Sequence, residues 1–131
     1  MARYLLDTTV FIDHAFGAHG ASDLIERLFG ETGDIFTCDA VVAEALSSGS
    51  DADLVIIEHL VRSLEYVSTS PDAAKHAGAL RRRLGRTSPR RLGDALIAGV
   101  AWSLEATVVT RNPRDFANHG IPVLAYGQTP A

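Results

Sequence analysis

The sequence predicts an α/β fold built on a mostly parallel sheet of four to five strands flanked by helices. Short apolar segments typical of buried strands alternate with longer segments of helical periodicity. Strands separated by helices form βαβ units with right-handed crossovers, which give a parallel sheet. The chain has 131 residues, enough for one compact domain and too few for two, so we expect a single domain over residues 1–131.

The first strand is predicted from the stretch Tyr4-Leu5-Leu6-Asp7-Thr8-Thr9, an apolar run that ends in a carboxylate and two hydroxyls. An apolar run this short is typical of a buried central strand in a parallel sheet. In such sheets, ligands bind at the carboxyl ends of the strands. Asp7 therefore lies where we expect a functional site.

The next segments alternate between helix and strand. Thr8 is predicted to cap the first helix, Ser22 the second and Asp39 the third, since short polar side chains are favoured at that position. A fourth helix is expected from about residue 51 to 62. Two strands interrupt these helices, at Ile35-Phe36-Thr37 and Leu64-Glu65-Tyr66-Val67.

Two more helices and two more strands are expected in the second half. Ser70-Pro71-Asp72 is a strong helix start, and a buried stripe follows at Ala73, Ala77, Leu80 and Leu84. A helix from Asp94 to about Leu104 is apolar nearly all round, which predicts that it is buried, with Trp102 in the core. The remaining strands are expected at residues 107–110 and 121–124.

Charge is divided unevenly along the chain. The formal net charge is -4, but residues 1–74 carry three arginines and thirteen acids, whereas residues 75–131 carry nine basic residues and three acids. Six arginines fall between Arg81 and Arg91. A basic segment beside an acidic body fits either a polyanion contact or a solvated helix face.

Composition also narrows the cellular context. No apolar run approaches the ~18 residues of a membrane span, and Asp7 and Asp13 interrupt any apolar secretory region at the start. The single cysteine, Cys38, cannot form an internal disulfide. A reducing cytoplasm is therefore expected, with no membrane association.

Four acids are candidates for a site at the edge of the sheet: Asp7, Glu44, Asp94 and Asp115. Each has an ordinary structural explanation by itself; Asp94, for example, fits a first-turn acid stabilised by the helix dipole. In a parallel sheet, however, all four are expected to converge. Four neighbouring carboxylates repel one another, and a hard divalent cation removes that repulsion. Oxygen ligands favour Mg²⁺ or Mn²⁺, which supports attack of water on a phosphodiester.

These acids stand in recognisable sequence contexts. The chain resembles the PIN-domain ribonucleases, and within them the VapC-like toxins of toxin–antitoxin pairs. The resemblance covers essentially the whole chain and is carried by Leu6-Asp7-Thr8-Thr9, Glu44, Asp94-Ala95-Leu96-Ile97-Ala98 and the segment from Val109 to Phe116. It implies a three-layer PIN-like fold, with Asp7, Glu44, Asp94 and Asp115 as catalytic metal ligands. It also implies a supporting polar pocket formed by Thr9, Thr110 and Asn112.

The resemblance further implies an endoribonuclease that depends on Mg²⁺ or Mn²⁺, cuts structured RNA such as tRNA or rRNA, and thereby stops translation. A water would attack and leave 5′-phosphate and 3′-hydroxyl ends. A homodimer and a cognate antitoxin are the implied protein partners. From charge alone, we assign RNA-backbone contacts to the basic segment, at Arg81, Arg82, Arg86, Arg90 and Arg91.

Other functions are less well supported by the residues. A receiver domain needs a lysine after its last strand, but the only lysine is Lys75. A haloacid-dehalogenase-like phosphatase needs a second aspartate where Thr9 stands. Asp13 has two interpretations, a fifth acid near the site or a solvated residue of the first helix, and the second is favoured. The remaining alternative is a catalytically idle PIN domain that binds RNA or protein.

Overall fold

A computed structural model of the chain describes residues 2–31, 33–85 and 91–128. Its centre is a five-stranded sheet in which every pairing is parallel, with the strand order β3-β2-β1-β4-β5. The strands are β1 (Tyr4–Leu6), β2 (Ile35–Cys38), β3 (Glu65–Val67), β4 (Thr107–Thr110) and β5 (Val123–Ala125). This arrangement confirms the predicted α/β fold, including the weak final strand.

Six helices connect and flank the strands. They are α1 (Thr8–Phe16), α2 (Ala21–Glu31), α3 (Asp39–Ala45), α4 (Asp51–Ser63), α5 (Pro71–Leu84) and α6 (Leu92–Leu104). A 3₁₀ turn, Pro113–Phe116, follows β4. Helix α1 packs against α2, α3 and α4, whereas α5 runs along α6. The order of elements therefore brings the ends of β1, β2 and β4 to one edge of the sheet.

The core lies around the two central strands. Leu5 and Leu6 of β1 and Val108 and Val109 of β4 are fully buried. Helix α6 is buried on nearly all sides, as its uniform apolar composition predicted. Burial of apolar surface on both faces of the sheet fixes the strand register, and thereby the positions of the residues that follow each strand.

Three predicted helix starts are wrong by one or two residues. Asp7 and Cys38, rather than Thr8 and Asp39, are the N-cap residues of α1 and α3, and neither side chain makes a capping hydrogen bond. Ser22 lies inside α2, where its hydroxyl is 2.8 Å from His14 Nδ1. Asp39 instead accepts the hydroxyl of Thr69 at 2.7 Å, so tertiary partners override the local capping preference.

Two aromatic residues of the helices, Phe29 and Trp102, lie largely outside the core. Phe29 is 39% exposed, because one residue beyond the buried Leu28 the helix has turned about 100° away from the core. Trp102 is 48% exposed and is not a core residue. Its ring stacks on His76 of α5, with a centroid distance of 4.3 Å and an interplanar angle of 5°. Trp102 therefore covers the outer side of the α5–α6 pair.

The cysteine and the helix lengths bear on the cellular context expected from composition. Cys38 is fully buried, and burial raises the pKa of its thiol to about 11. Within the three described ranges, no helix combines the length and the apolar character required to cross a bilayer. Thr87-Ser88-Pro89 predicts a break at the end of the helix that begins at Ser70, but these residues lie outside the described ranges.

Candidate functional site

The four candidate acids all lie around the edge of the sheet where β1 and β4 end. Asp7 follows β1 directly and precedes α1. Glu44 lies in the last turn of α3, which follows β2. Asp94 is in the first turn of α6, and Asp115 is in the 3₁₀ turn after β4. Parallel strands present their carboxyl ends at the same edge, which is why these distant residues become neighbours.

Asp7 is only 4% exposed and is held by two hydroxyl groups. Thr110 Oγ1 donates a hydrogen bond to Asp7 Oδ2 at 2.7 Å, and Thr9 Oγ1 donates to the same oxygen at 3.3 Å. Burial raises the pKa of Asp7, and the charge of Glu44 raises it further, while these hydrogen bonds oppose the shift. Because Asp7 is buried and accepts two directed hydrogen bonds, its carboxylate is held in a fixed orientation within a negatively charged environment.

Asp94 is 8% exposed, and its Oδ2 atom is buried with no hydrogen-bond partner in the described residues. Burial raises the pKa of Asp94 to about 7, with further contributions, in decreasing order, from the charges of Asp115, Asp7 and Glu44. Arg91 opposes this shift. The charges of all three other acids therefore act on Asp94. Its buried, unpartnered oxygen is the feature of the site that most clearly indicates cation binding.

Glu44 approaches α6 because Gly93 has no side chain. A Cβ atom at Gly93 would lie 2.8 Å from Glu44 Oε1. The hydroxyl of Thr8 also contacts this oxygen at 3.4 Å. Glu44 is exposed, in contrast to the buried Asp7 and Asp94. Its position combines a solvated head group with close contact to the helix that carries Asp94.

Asp115 and Asn112 belong to the turn after β4. Asp115 is half-buried, and its backbone N–H donates to the carbonyl oxygen of Asn112 at 3.0 Å. The N–H of Asn112 donates to Thr110 Oγ1 at 3.0 Å, so the contribution of Asn112 to the pocket includes its backbone. Beside Asp115 is a cavity of about 360 Å³, lined by Arg111, Asn112, Pro113, Arg114, Asp115 and Gln128.

The four carboxylates share an electrostatic environment but do not form a ready coordination sphere. As the side chains stand, no three Asp, Glu, His or Cys residues in ranges 2–31, 33–85 and 91–128 are spaced to bind one metal ion. Repulsion between like charges, which contributes to the raised pKa of Asp94, favours such separation. The donor chemistry nevertheless fits a hard divalent cation, because it consists of carboxylate oxygens with a buried, unpartnered member.

The predicted basic segment is only partly described. Arg82 and Arg91 are exposed and Arg81 is half-buried, whereas Arg86 and Arg90 lie outside the described residues. Arg91 lies close enough to Asp94 to lower its pKa. Of the described residues of this segment, Arg91 therefore lies near the acids, and Arg81 and Arg82 lie in the last turn of α5.

Sequence reasoning missed a buried ion pair beside the site. Asp13, expected to be solvated, is 3% exposed, and its Oδ2 accepts Arg111 Nε at 2.8 Å and the hydroxyl of Tyr126 at 2.8 Å. Its spacing of three residues from the buried Val10 was the available signal, since i and i+3 share a helix face. A buried aspartate requires partners, and the partners of Asp13 lie far away in the sequence. The expectation failed for that reason.

Comparisons with known proteins identify the family to which this fold belongs. The model of the PIN domain family matches residues 4–121. The chain belongs to the PIN domain family. Ribonuclease VapC19 of Mycobacterium tuberculosis is 31% identical over 114 residues, which are 86% of this PIN domain and 90% of that protein.

Solved structures with the same architecture include components of toxin–antitoxin complexes. A chain of DNA-bound VapBC from Salmonella typhimurium has a TM-score of 0.78 and 27% identity, covering 95% of this PIN domain and 98% of that chain. A chain of DNA-bound VapBC2 from Rickettsia felis has a TM-score of 0.77, with coverage of 94% and 98%; at 22% identity it shows the shared fold alone.

Proposed function

We propose that this PIN domain is a metal-dependent endoribonuclease and the toxin of a toxin–antitoxin pair. The observation that carries the proposal is Asp94, a buried carboxylate with an unpartnered oxygen that experiences the charges of Asp7, Glu44 and Asp115. Kinship with a protein named Ribonuclease VapC19 supports RNA as the substrate.

The four acids would hold Mg²⁺ or Mn²⁺, because a hard divalent cation binds carboxylate oxygens and compensates the repulsion among carboxylates at one sheet edge. When bound, such a cation polarises a phosphodiester and lowers the pKa of a water. Asp7 offers a carboxylate already oriented by Thr9 and Thr110. Glu44, which is exposed, would orient the incoming water from the solvent side.

The expected reaction is hydrolysis of a phosphodiester in structured RNA, tRNA or rRNA, which would inhibit translation. Water attacks the phosphorus and the bond to the 3′-oxygen breaks, so the products carry 5′-phosphate and 3′-hydroxyl ends. The exposed Arg82 and Arg91 would contact the RNA backbone, since basic side chains supply most phosphate contacts. We extend the same role to Arg81, Arg86 and Arg90.

Cleavage of total cellular RNA by the purified chain tests this function. The reactions contain Mg²⁺, Mn²⁺ or EDTA, and the 5′ ends of the products are mapped. We expect discrete cuts that require the metal and disappear in Asp94→Asn. The control is Asp72→Asn, which changes an exposed first-turn acid of α5 and should leave cleavage intact.

The products decide between this function and its alternative. Cuts that persist in EDTA or in Asp94→Asn would contradict the metal-site model. Metal binding with no cleavage of any RNA under these conditions would favour a catalytically idle PIN domain that binds RNA or protein.

An antitoxin partner is proposed for the apolar surface formed by α1 and α4. Phe16, Val55 and Ile56 are 64%, 66% and 38% exposed there. Two cavities of about 150 and 260 Å³ lie beside them, the first next to Phe16 and the second next to Val55 and Ile56. Large exposed apolar side chains grouped in this way mark a protein interface. The VapBC neighbour from Salmonella typhimurium makes an antitoxin the favoured occupant.

The partner assignment is tested with the protein encoded beside this chain's gene. We expect it to copurify with the wild-type chain and to be lost with Val55→Asp. Tyr66→Asp is the control, since Tyr66 is 53% exposed on β3 and lines neither cavity. Retention by Val55→Asp would contradict the assignment. The proposed homodimer, and the single domain over residues 1–131, are checked by light scattering and by limited proteolysis of the same preparation.

A further inference from the structure

The loop that follows β4 supplies two backbone N–H groups to the hydroxyls beside Asp7. The N–H of Arg111 donates to Thr9 Oγ1 at 3.1 Å, and that of Asn112 donates to Thr110 Oγ1 at 3.0 Å. Each hydroxyl oxygen accepts one of these bonds, and its single proton is directed to the Asp7 carboxylate. The conformation of this loop therefore sets the orientation of Asp7.

Side chains from two other segments hold this loop. Asp13 of α1 accepts Arg111 Nε at 2.8 Å and the Tyr126 hydroxyl at 2.8 Å through the same Oδ2 atom. Gln128 Nε2 donates to the carbonyl oxygens of Arg111 and Tyr126, at 2.7 Å and 3.0 Å. Helix α1, the loop after β4 and the segment after β5 thus meet at one carboxylate.

Burial makes this meeting point stiff. Asp13 is 3% exposed, and the Arg111 side chain is 33% exposed, so the ion pair lies largely out of water. Removal of either partner would leave an uncompensated buried charge, which is strongly unfavourable. The residue that makes this pair is also the residue whose backbone N–H orients Thr9. Structural support and orientation of the acid are coupled in Arg111.

We propose that Asp13, Arg111 and Tyr126 form a positioning cluster that fixes the Asp7 carboxylate for the divalent cation. The proposal rests on the function proposed above, because it requires that cation. The three side chains act through Thr9 and Thr110 and are positioning residues. Groups of this kind around a metal ligand typically change metal affinity by about 10–100-fold when they are removed.

Mn²⁺ binding, measured by electron paramagnetic resonance without RNA, tests the cluster. Arg111→Met keeps the side-chain length and removes the guanidinium. We expect the Kd for Mn²⁺ to rise about 10-fold. Electrostatics alone predicts the opposite sign, because loss of a positive charge beside the acids would strengthen cation binding. The control is Arg62→Met, which removes the exposed pair with Glu58 at 3.9 Å and should leave the Kd unchanged.

A second variant covers the case in which Arg111→Met does not fold. Tyr126→Phe removes one hydroxyl and retains the Asp13–Arg111 pair and the net charge. We expect several-fold faster hydrogen exchange at the amides of Arg111 and Asn112, together with weaker Mn²⁺ binding. Arg111→Lys should restore part of the affinity lost in Arg111→Met.

The outcomes separate this inference from the function on which it rests. An unchanged or lower Kd for Mn²⁺ in the folded variants would overturn the positioning cluster and leave the metal site standing. Absence of Mn²⁺ binding by the wild-type chain would overturn the metal site, and the cluster's role with it.

Discussion

At the scale of single residues, Asp94 lies in an unfavourable environment for a charge. Its folded-state pKa is raised to about 7 from 3.8, chiefly by burial and then by the other acids. The folded state therefore binds a proton more tightly than the unfolded state. The associated stability is fully present below about pH 4 and is lost as the pH rises through about 7.

Asp94→Asn should consequently raise the melting temperature of the metal-free protein. The difference from wild type is expected to be small at pH 4 and to grow up to about pH 7. Thermal melts in EDTA across this range measure it. Asp72→Asn is the control, because removal of this exposed first-turn charge of α5 should slightly lower the melting temperature at pH 7 rather than raise it. A melting temperature for Asp94→Asn below that of wild type at pH 7 would contradict this account.

Two buried threonines offer a matched comparison of hydroxyl groups. Thr110 and Thr37 are both fully buried, but Thr110 Oγ1 bonds Asp7 at 2.7 Å, whereas Thr37 Oγ1 has no partner in the described residues. Thr110→Val should lower the free energy of unfolding at pH 7 by about 1–3 kcal/mol, because it removes a donor from a buried carboxylate. Thr37→Val should be neutral or stabilising. Urea denaturation compares them, and equal costs would show that the hydroxyl bond to Asp7 adds nothing.

The sequence placed the four acids at one sheet edge through strand order and the family resemblance, and the fold brings them into one electrostatic environment. It did not reveal the burial of Asp13. The partners of Asp13 are 98 and 113 residues away in the chain, and no local pattern reports contacts of that range. The separation of the carboxylates was equally invisible, since it depends on side-chain rotamers.

At the scale of helices and strands, sequence patterns located the five strands and six α-helices of the described residues, whereas the ends of these elements were less predictable. The strand β1 and the helix α6 were located correctly because both are continuously apolar and buried. The caps of α1 and α3 were each predicted one residue too late, and at both helix starts an aspartate, Asp7 or Asp39, makes a tertiary hydrogen bond. Polar residues at this edge of the sheet make hydrogen bonds required by the site, and local capping rules therefore predict their roles poorly.

The contact between α5 and α6 depends on a glycine. A Cβ atom at Gly99 would clash with the carbonyl oxygen of Ala73, so α6 can lie this close to α5 only without a side chain there. Gly99→Ala should therefore lower the melting temperature. Gly78→Ala on α5 is the matched control, because nothing lies within 4 Å of its added methyl group. That control should stabilise the protein by about 0.5–1 kcal/mol, as expected for alanine in a helix. A stabilised Gly99→Ala would contradict the described packing.

At the scale of the whole molecule, the acidic and basic halves of the sequence meet at the sheet edge. Arg91 lies close enough to Asp94 to lower its pKa, and three further arginines, Arg81, Arg82 and Arg83, lie in the last turn of α5. The structure distinguishes among these arginines in a way that the sequence could not. Arg82 and Arg83 are both exposed, but Arg83 donates a hydrogen bond to the carbonyl oxygen of Asn118 at 3.3 Å. Arg82 is therefore the better candidate for a contact with phosphate.

Arg82→Ala should weaken RNA binding and reduce the magnitude of its logarithmic salt dependence by about 1, because one phosphate contact is lost. Binding of bulk transfer RNA in EDTA, measured by filter binding at several salt concentrations, provides the slope. Arg62→Ala removes an exposed arginine of the acidic half and serves as the control. An identical slope for Arg82→Ala and wild type would exclude Arg82 from the RNA interface.

The central claim is that Asp7, Glu44, Asp94 and Asp115 together bind a divalent cation. Crystals of the chain soaked in Mn²⁺ test it most directly, through the anomalous signal of the metal. We expect a peak at the edge of the sheet, in direct contact with the carboxylates of Asp7 and Asp94, with Glu44 and Asp115 drawn towards it. The peak should be absent from Asp94→Asn crystals. The claim would be contradicted if, at saturating Mn²⁺, the anomalous peak lay elsewhere or the four carboxylates remained apart.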